Sequence, residues 1–258
     1  MFGLGLPSVE PALFGLVFVM VRIGAAFVAA PVFGAVTVPL QVRVVLAGAI
    51  GVLVVNNAPV ATPAAMFSFI TFLQVAQEAL VGLALGFVLQ IAFAAPLVAS
   101  EAISNTMGIG FATAIDPQRG ASTPALGQFL SIVMTLMFLA LDGHLILVDL
   151  VVRSYRVLPP GGAWLAAEKL RDIALFGSYA FAAGLLLALP VGFVILCLNI
   201  IVGMLSRSAP ALNLFAVGLP ASLATGFVAL AIAFPAMGDA MGGIIREALD
   251  ATGNLVLH

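Results

Sequence analysis

The sequence predicts an all-α integral membrane protein made of bent and broken helical hairpins. Three observations carry that prediction. Of 258 residues, 63% are hydrophobic and only 8% are charged. A soluble domain carries about 25% charged residues, so this chain has too few polar side chains to coat a water-facing surface. The apolar residues fall into six long stretches separated by Pro, Gly and Asn. Several of those stretches have lengths that fit no straight span, and the last two carry Pro190 and Pro220 inside them.

A bilayer core of about 30 Å is crossed by about 20 helical residues. The first stretch runs from Leu13 to Ala30 and is closed by Pro31. The second, Val42 to Val55, is short and ends at Asn56-Asn57. The third is long, from Phe69 to Ala99, and the fourth runs from Leu126 to Val148. The fifth, Ile173 to Leu205, is too long for one straight span. Pro190 in its middle removes a backbone donor and should kink or divide it. The sixth, Leu212 to Ala236, carries Pro220 as a second expected kink. Three connections are polar enough for loops: Asn56 to Ser68, Ser100 to Pro124, and Asp149 to Asp172. The last holds Arg153, Arg156, Lys169 and Arg171, and the positive-inside tendency would place it in the cytoplasm, weakly, because Arg43, Arg119 and Arg207 lie elsewhere. No linker, internal repeat or low-complexity tract divides the chain, which reads as one membrane domain over residues 1–258. The first basic residue, Arg22, already lies inside the first apolar run, so the start reads as a retained membrane segment rather than a cleaved signal.

The same composition excludes several classes of function. A net charge of -2 offers no basic stripe for nucleic acid. One cysteine, Cys197 in an apolar run, excludes a disulfide framework and reads as a small buried hydrophobe. There is no His-Glu-x-x-His helix, no phosphate-binding glycine loop and no Gly-x-Ser-x-Gly elbow. The two histidines, His144 and His258, have no partner ligands beside them in sequence. No enzyme activity, cofactor or metal is expected.

Three places concentrate residues that could carry function. The third stretch has a row at four-residue spacing, Gln74, Glu78, Gly82, Gly86 and Gln90. Gly82-x-x-x-Gly86 lets another backbone come close, and Gln or Glu can bond across that contact. Helix packing is the plain reading. The sharper one makes Glu78 a proton carrier or a wall of a water-filled path, since an acid at mid-span costs about 2.5–3.5 kcal/mol and needs a partner or a purpose. Arg22 is the candidate partner. The second place is the apolar, glycine-rich loop from Met107 to Pro117, read either as a re-entrant plug or as an interfacial turn closed by Asp116-Pro117. The third is Leu141-Asp-Gly-His144, where Gly143 is expected to end a helix and His144 to be a structural hydrogen-bonder rather than a proton shuttle. Tyr155 and Trp164 are expected to anchor the basic loop at the membrane interface.

In order and spacing these pieces resemble the FliR family of the flagellar type III export apparatus, whose relatives serve injectisomes. The residues carrying the resemblance include Arg22 with Pro31-Val-Phe33, Val38-Pro39 and Val42-Arg43. Further along come Glu78 with Gly82-Leu-Ala-Leu-Gly86-Phe87, then Glu101, Met107-Gly108, Phe111-Ala112-Thr113 and Asp116-Pro117. Gly143-His144, Ser154-Tyr155, Leu158-Pro159, Ala209-Pro210, Asn213-Leu-Phe215, Gly218 and Pro220 complete the set. Asp142 departs from the Asn that many relatives carry before Gly-His. The resemblance implies a FliP-like part joined to a FliQ-like part, assembled with FliP and FliQ beside FlhB and FlhA in the bacterial inner membrane at the flagellar basal body. That assembly would pass unfolded export substrates. It implies that the loop near residues 106–122, with Met107, Gly108, Ile109, Gly110, Phe111, Ala112, Asp116 and Pro117, is a plug. Arg22, Gln74, Glu78, Gly82, Gly86, Glu101 and His144 are expected to serve helix packing or a polar pathway. Two other readings stay open: an injectisome subunit, and a proton-coupled carrier of small solutes using Glu78 and His144.

Overall fold

A computed structural model describes residues 9–57, 68–109, 125–162, 164–208 and 214–257. Among the described residues the chain is all helix, in eight elements. These are α1 (Val9–Ala29), α2 (Leu40–Asn57), α3 (Phe69–Ala92), α4 (Ala95–Thr106), α5 (Ala125–Ala140), α6 (Gly143–Val157), α7 (Ala167–Ser208) and α8 (Leu214–Leu257). Four stretches are long and apolar enough to cross a membrane: Leu40–Asn57, Phe69–Thr106, Ala167–Ser208 and Gly218–Val256. The pair α5 and α6 makes a fifth if counted as one broken span. The apolar part of α1, Leu13–Ala29, is shorter.

Over the described residues each expected stretch is helical, but the breaks fall elsewhere than predicted. The third stretch divides into α3 and α4 at Phe93–Ala94. Pro96 has no N–H to give the Ala92 carbonyl, and its ring would crowd that carbonyl. The chain tightens there instead, with Ala94 N–H bonded to Ile91 O at 3.1 Å. The fourth stretch divides at Leu141–Asp142, where Asp142 is left-handed at φ 55°. Gly143 therefore begins α6 rather than ending a helix. The basic loop expected from Asp149 is helical as far as Val157. Neither Pro190 in α7 nor Pro220 in α8 divides its helix, and α8 runs on past Ala236 and Pro235 to Leu257. Cys197, expected to be buried, is exposed on α7.

The chain forms two compact units. One comprises residues 1–90, 142–176 and 247–258, and the other 91–141 and 177–246. In the first unit α1 and α2 form a hairpin, with Ala47, Gly51 and Val54 of α2 buried. Its turn is tight. Val32 sits at φ 69° while Phe33 N–H bonds Pro31 O at 2.8 Å, a γ-turn of the strained hand. Phe33 stacks on Phe27 with ring centroids 4.5 Å apart. In the second unit α4 packs on α5, where Phe93 meets Phe138 edge-on at 5.5 Å. Gly127 of α5 lies so close to Ser100 that a methyl group there would meet its Oγ at 2.5 Å.

Two glycines end elements in ways the sequence encodes. Gly108, at φ 79°, follows α4. Its N–H bonds Asn105 O at 3.2 Å, and Ile109 N–H bonds Ser104 O at 3.0 Å. This is the left-handed glycine cap in which two N–H groups satisfy orphan carbonyls. After α6, Pro159-Pro160-Gly161-Gly162 forms a β-turn closed by Gly162 N–H to Pro159 O at 3.0 Å. Proline at the second position and a glycine at φ 73° in the third make it type II.

Candidate functional site

The site is built where α1 and α3 touch in the first unit. A Cβ on Gly82 would fall on the carbonyl oxygen of Arg22, and one on Gly86 would fall on that of Ala26. The two glycines thus bring the helix backbones into direct contact. Arg22 pairs with Gly82 and Ala26 with Gly86, so the helices run side by side in the same direction. Side chains lean toward the N-terminus of their own helix. Arg22 therefore reaches back one turn, to the level where α3 presents Glu78.

There the two meet in a fork. Arg22 Nε donates to Glu78 Oε2 at 2.8 Å and Nη2 to Oε1 at 2.9 Å, with both side chains fully buried. The rest of the guanidinium turns to the end of α6. Nη1 donates to Ser154 Oγ at 2.9 Å, and Nη2 also donates to Leu158 O at 2.9 Å. The guanidinium lies 4.3 Å from the centre of the Tyr155 ring, a cation–π geometry. The Tyr155 hydroxyl donates back to Val19 O at 2.7 Å. Leu158 O is among the carbonyls left free at a helix C-terminus, where a cation is favoured by the helix dipole.

Chemically this is a bidentate pair. Both Glu78 oxygens accept from the Arg22 guanidinium. Removing either partner would leave an uncompensated charge, at a cost of about 3–5 kcal/mol. Among the described residues no group of three His, Cys, Asp or Glu is placed to hold a metal ion.

The row on α3 therefore has two jobs. Gly82 and Gly86 pack against α1. The residues before them face the turn after α6: Gln77 Nε2 donates to Gly162 O at 3.3 Å, and Gln74 lies against Gly161. Gln90 is exposed. The other singled-out residues lie outside this network. His144 is half-buried at the start of α6, and its Nδ1 has no hydrogen-bond partner among the described residues. Glu101 is exposed on α4. Met107 is buried, with Gly226 against it, and Gly108 and Ile109 form the α4 cap. Gly110, Phe111, Ala112, Asp116 and Pro117 lie outside the described residues. Tyr155, expected at the interface, is buried under Arg22, whereas Trp164 is 52% exposed. Ser154 and Gln77 were not foreseen as partners. Their only signal was position, a polar residue on the buried face of an amphipathic segment.

The fold and site define a multi-pass helical membrane protein with a buried Arg22–Glu78 pair between two of its helices. The chain belongs to the bacterial export proteins, family 1, whose model matches residues 13–248. It is similar to the flagellar biosynthetic protein FliR of Escherichia coli K12, 33% identical over 92% of this chain and 90% of that one. FliR of Pectobacterium carotovorum is 34% identical over 92% and 90%. FliR of Bacillus subtilis is 29% identical over 92% and 93%.

Proposed function

We propose that this chain is a non-enzymatic core subunit of the flagellar type III export gate, embedded in the bacterial inner membrane at the flagellar basal body. In this reading it assembles with FliP and FliQ, beside FlhB and FlhA, into the channel for unfolded export substrates. One observation carries the reading: similarity to FliR proteins from distant bacteria over about nine-tenths of the chain. The long helices support it as well. In three of the four candidate spans no more than 22% of the most apolar window is buried, which suits a subunit that completes itself against sister subunits and lipid. The carrier reading loses its main support at Glu78, whose oxygens are both held by Arg22.

Deletion of the gene tests the proposal. Secretion of hook and rod proteins should stop and return on complementation, and FliP and FliQ should co-purify with the chain. Normal flagellar secretion in the deletion strain overturns it, and loss of injectisome secretion alone would move the subunit to the virulence apparatus. Within this function, the loop near residues 106–122 is the proposed plug. Shortening the segment between Gly108 and Gly120 should make the assembled gate leak ions, and unchanged leakage would reduce the loop to a connection.

A further inference from the structure

The Arg22–Glu78 pair does more than join two helices. If joining α1 to α3 were its whole role, the fork between guanidinium and carboxylate would suffice. Two of the four hydrogen bonds from Arg22 instead go to Ser154 and Leu158 at the end of α6. From α3, Gln77 holds Gly162 O and Gln74 lies against Gly161, where a side-chain carbon would meet its Nε2 at 2.7 Å. Pro160, inside the turn, is buried. The segment from Leu158 to Gly162 is thus non-helical backbone set in a polar cradle formed by α1 and α3.

Where non-helical backbone is shielded from water, its carbonyls need protein partners. Leu158 O and Gly162 O have these partners only while the turn is docked. We propose that Arg22, fixed by Glu78, is a positioning clamp for the α6–α7 turn: the buried charge is kept so that Leu158–Gly162 stays docked and sets where α6 ends and α7 begins. Glu78 aims and neutralises the guanidinium, Tyr155 supports its face, and the turn is what it holds. This inference rests on the hydrogen-bond network around the turn, and not on which export apparatus the chain serves.

Thiol accessibility tests it in membranes containing the full-length chain with its co-expressed partner subunits. Cys197 is exposed, so Cys197→Ala supplies the background. Pro160→Cys then reports the turn through its rate of reaction with a small maleimide. Ser154→Ala removes one acceptor from Arg22 and leaves the ion pair whole. The chain should accumulate normally while labelling rises about tenfold, the worth of one hydrogen bond to a charged group. Arg22→Met with Glu78→Met removes the pair without orphaning a charge. It should restore accumulation relative to either single change and still leave the thiol in the turn as reactive as Ser154→Ala does, or more so. Parental labelling rates in both backgrounds overturn the proposal, since the pair would then serve only to join α1 and α3. If the double variant fails to accumulate, Ser154→Ala decides alone. Because labelling needs no secretion, the result stands apart from that of the deletion experiment.

Discussion

The two units bury different chemistry. Around α1, α3 and α6 the first unit encloses a full ion pair together with Gln77, Ser154 and Thr71. The polar side chains buried in the second unit, among the described residues, are Ser100, Ser104 and Ser222. Ser100 Oγ bonds back to Leu97 O of its own helix at 2.8 Å, and Ser222 Oγ donates to Asn199 Oδ1 at 3.2 Å. A buried charge demands one geometry, because every displaced donor or acceptor carries a large penalty. Ser100 bonds only its own helix and Ser222 ties α8 to α7 through one neutral bond, so these hydroxyls constrain the helices less than a charge does. The first unit is thus built to hold one arrangement. The second, from which the proposed plug segment continues after Ile109, is packed by neutral contacts that tolerate adjustment.

The largest test of that contrast is Glu78→Leu. It leaves Arg22 buried without a counter-charge and should lower stability in detergent by about 3–5 kcal/mol. Ser222→Ala in the second unit should cost about 1 kcal/mol or less. Denaturant titration of the two purified variants checks this, and equal losses would erase the distinction. Glycine packing gives the next comparison. At Gly82 an added methyl meets the backbone carbonyl of Arg22, which cannot move without shifting α1. Gly82→Ala should therefore cost about 1–3 kcal/mol. At Gly226 the neighbour is the Met107 side chain, with Cε 2.6 Å from the added carbon. Methionine repacks easily, so Gly226→Ala should cost about 1 kcal/mol or less. A reversed order would mean that Met107 is held as rigidly as a backbone.

A smaller effect is expected at the turn. Gly161→Ala places a side chain at φ 73° and against Gln74. The conformational cost is about 1–2 kcal/mol. An equivalent change at Gly177, on α7 with nothing within 4 Å of the added carbon, should be neutral or slightly stabilising. The pair of thermal midpoints separates a turn that requires glycine from a helix that merely contains one.

How much of this was legible beforehand follows from what each signal measures. Apolar runs located the helices, because insertion into lipid depends on composition. They misplaced the ends wherever charge and helix coexist. Asp149, Arg153 and Arg156 made the end of α6 look like loop, yet Leu147, Leu150, Val151, Ser154 and Tyr155 recur at three- and four-residue spacing and are buried. The last turns of α8 went unread for the same reason, with Asp239, Arg246, Glu247 and Asp250 interleaved among Met241, Ile245, Ala248 and Thr252, which are buried. Arg22 and Glu78 could be suspected as partners because each alone is costly in an apolar helix. Their meeting depends on the register of α1 against α3 across 56 residues. That register is fixed by Gly82 and Gly86, whose packing role was visible while their partner helix was not. Tyr155 was misread because its basic sequence neighbours face away from it on the same helix.

The smallest expected effect uses an exposed ion pair of the first unit. Arg153 Nε lies 2.8 Å from Asp149 Oδ2, the same separation as in the buried pair. The side chains of Arg153 and Asp149 are 56% and 52% exposed, however, and sit one turn apart on a single helix. Water already solvates both charges when they separate, so removing one leaves nothing orphaned. Arg153→Ala should change stability by only about 0.3–0.5 kcal/mol, and raising salt should shrink even that. Glu78→Leu, at the same bond length, is expected to cost about ten times more. If the two variants proved comparable, the penalty at Glu78 would have to come from helix packing rather than from a charge stranded away from water.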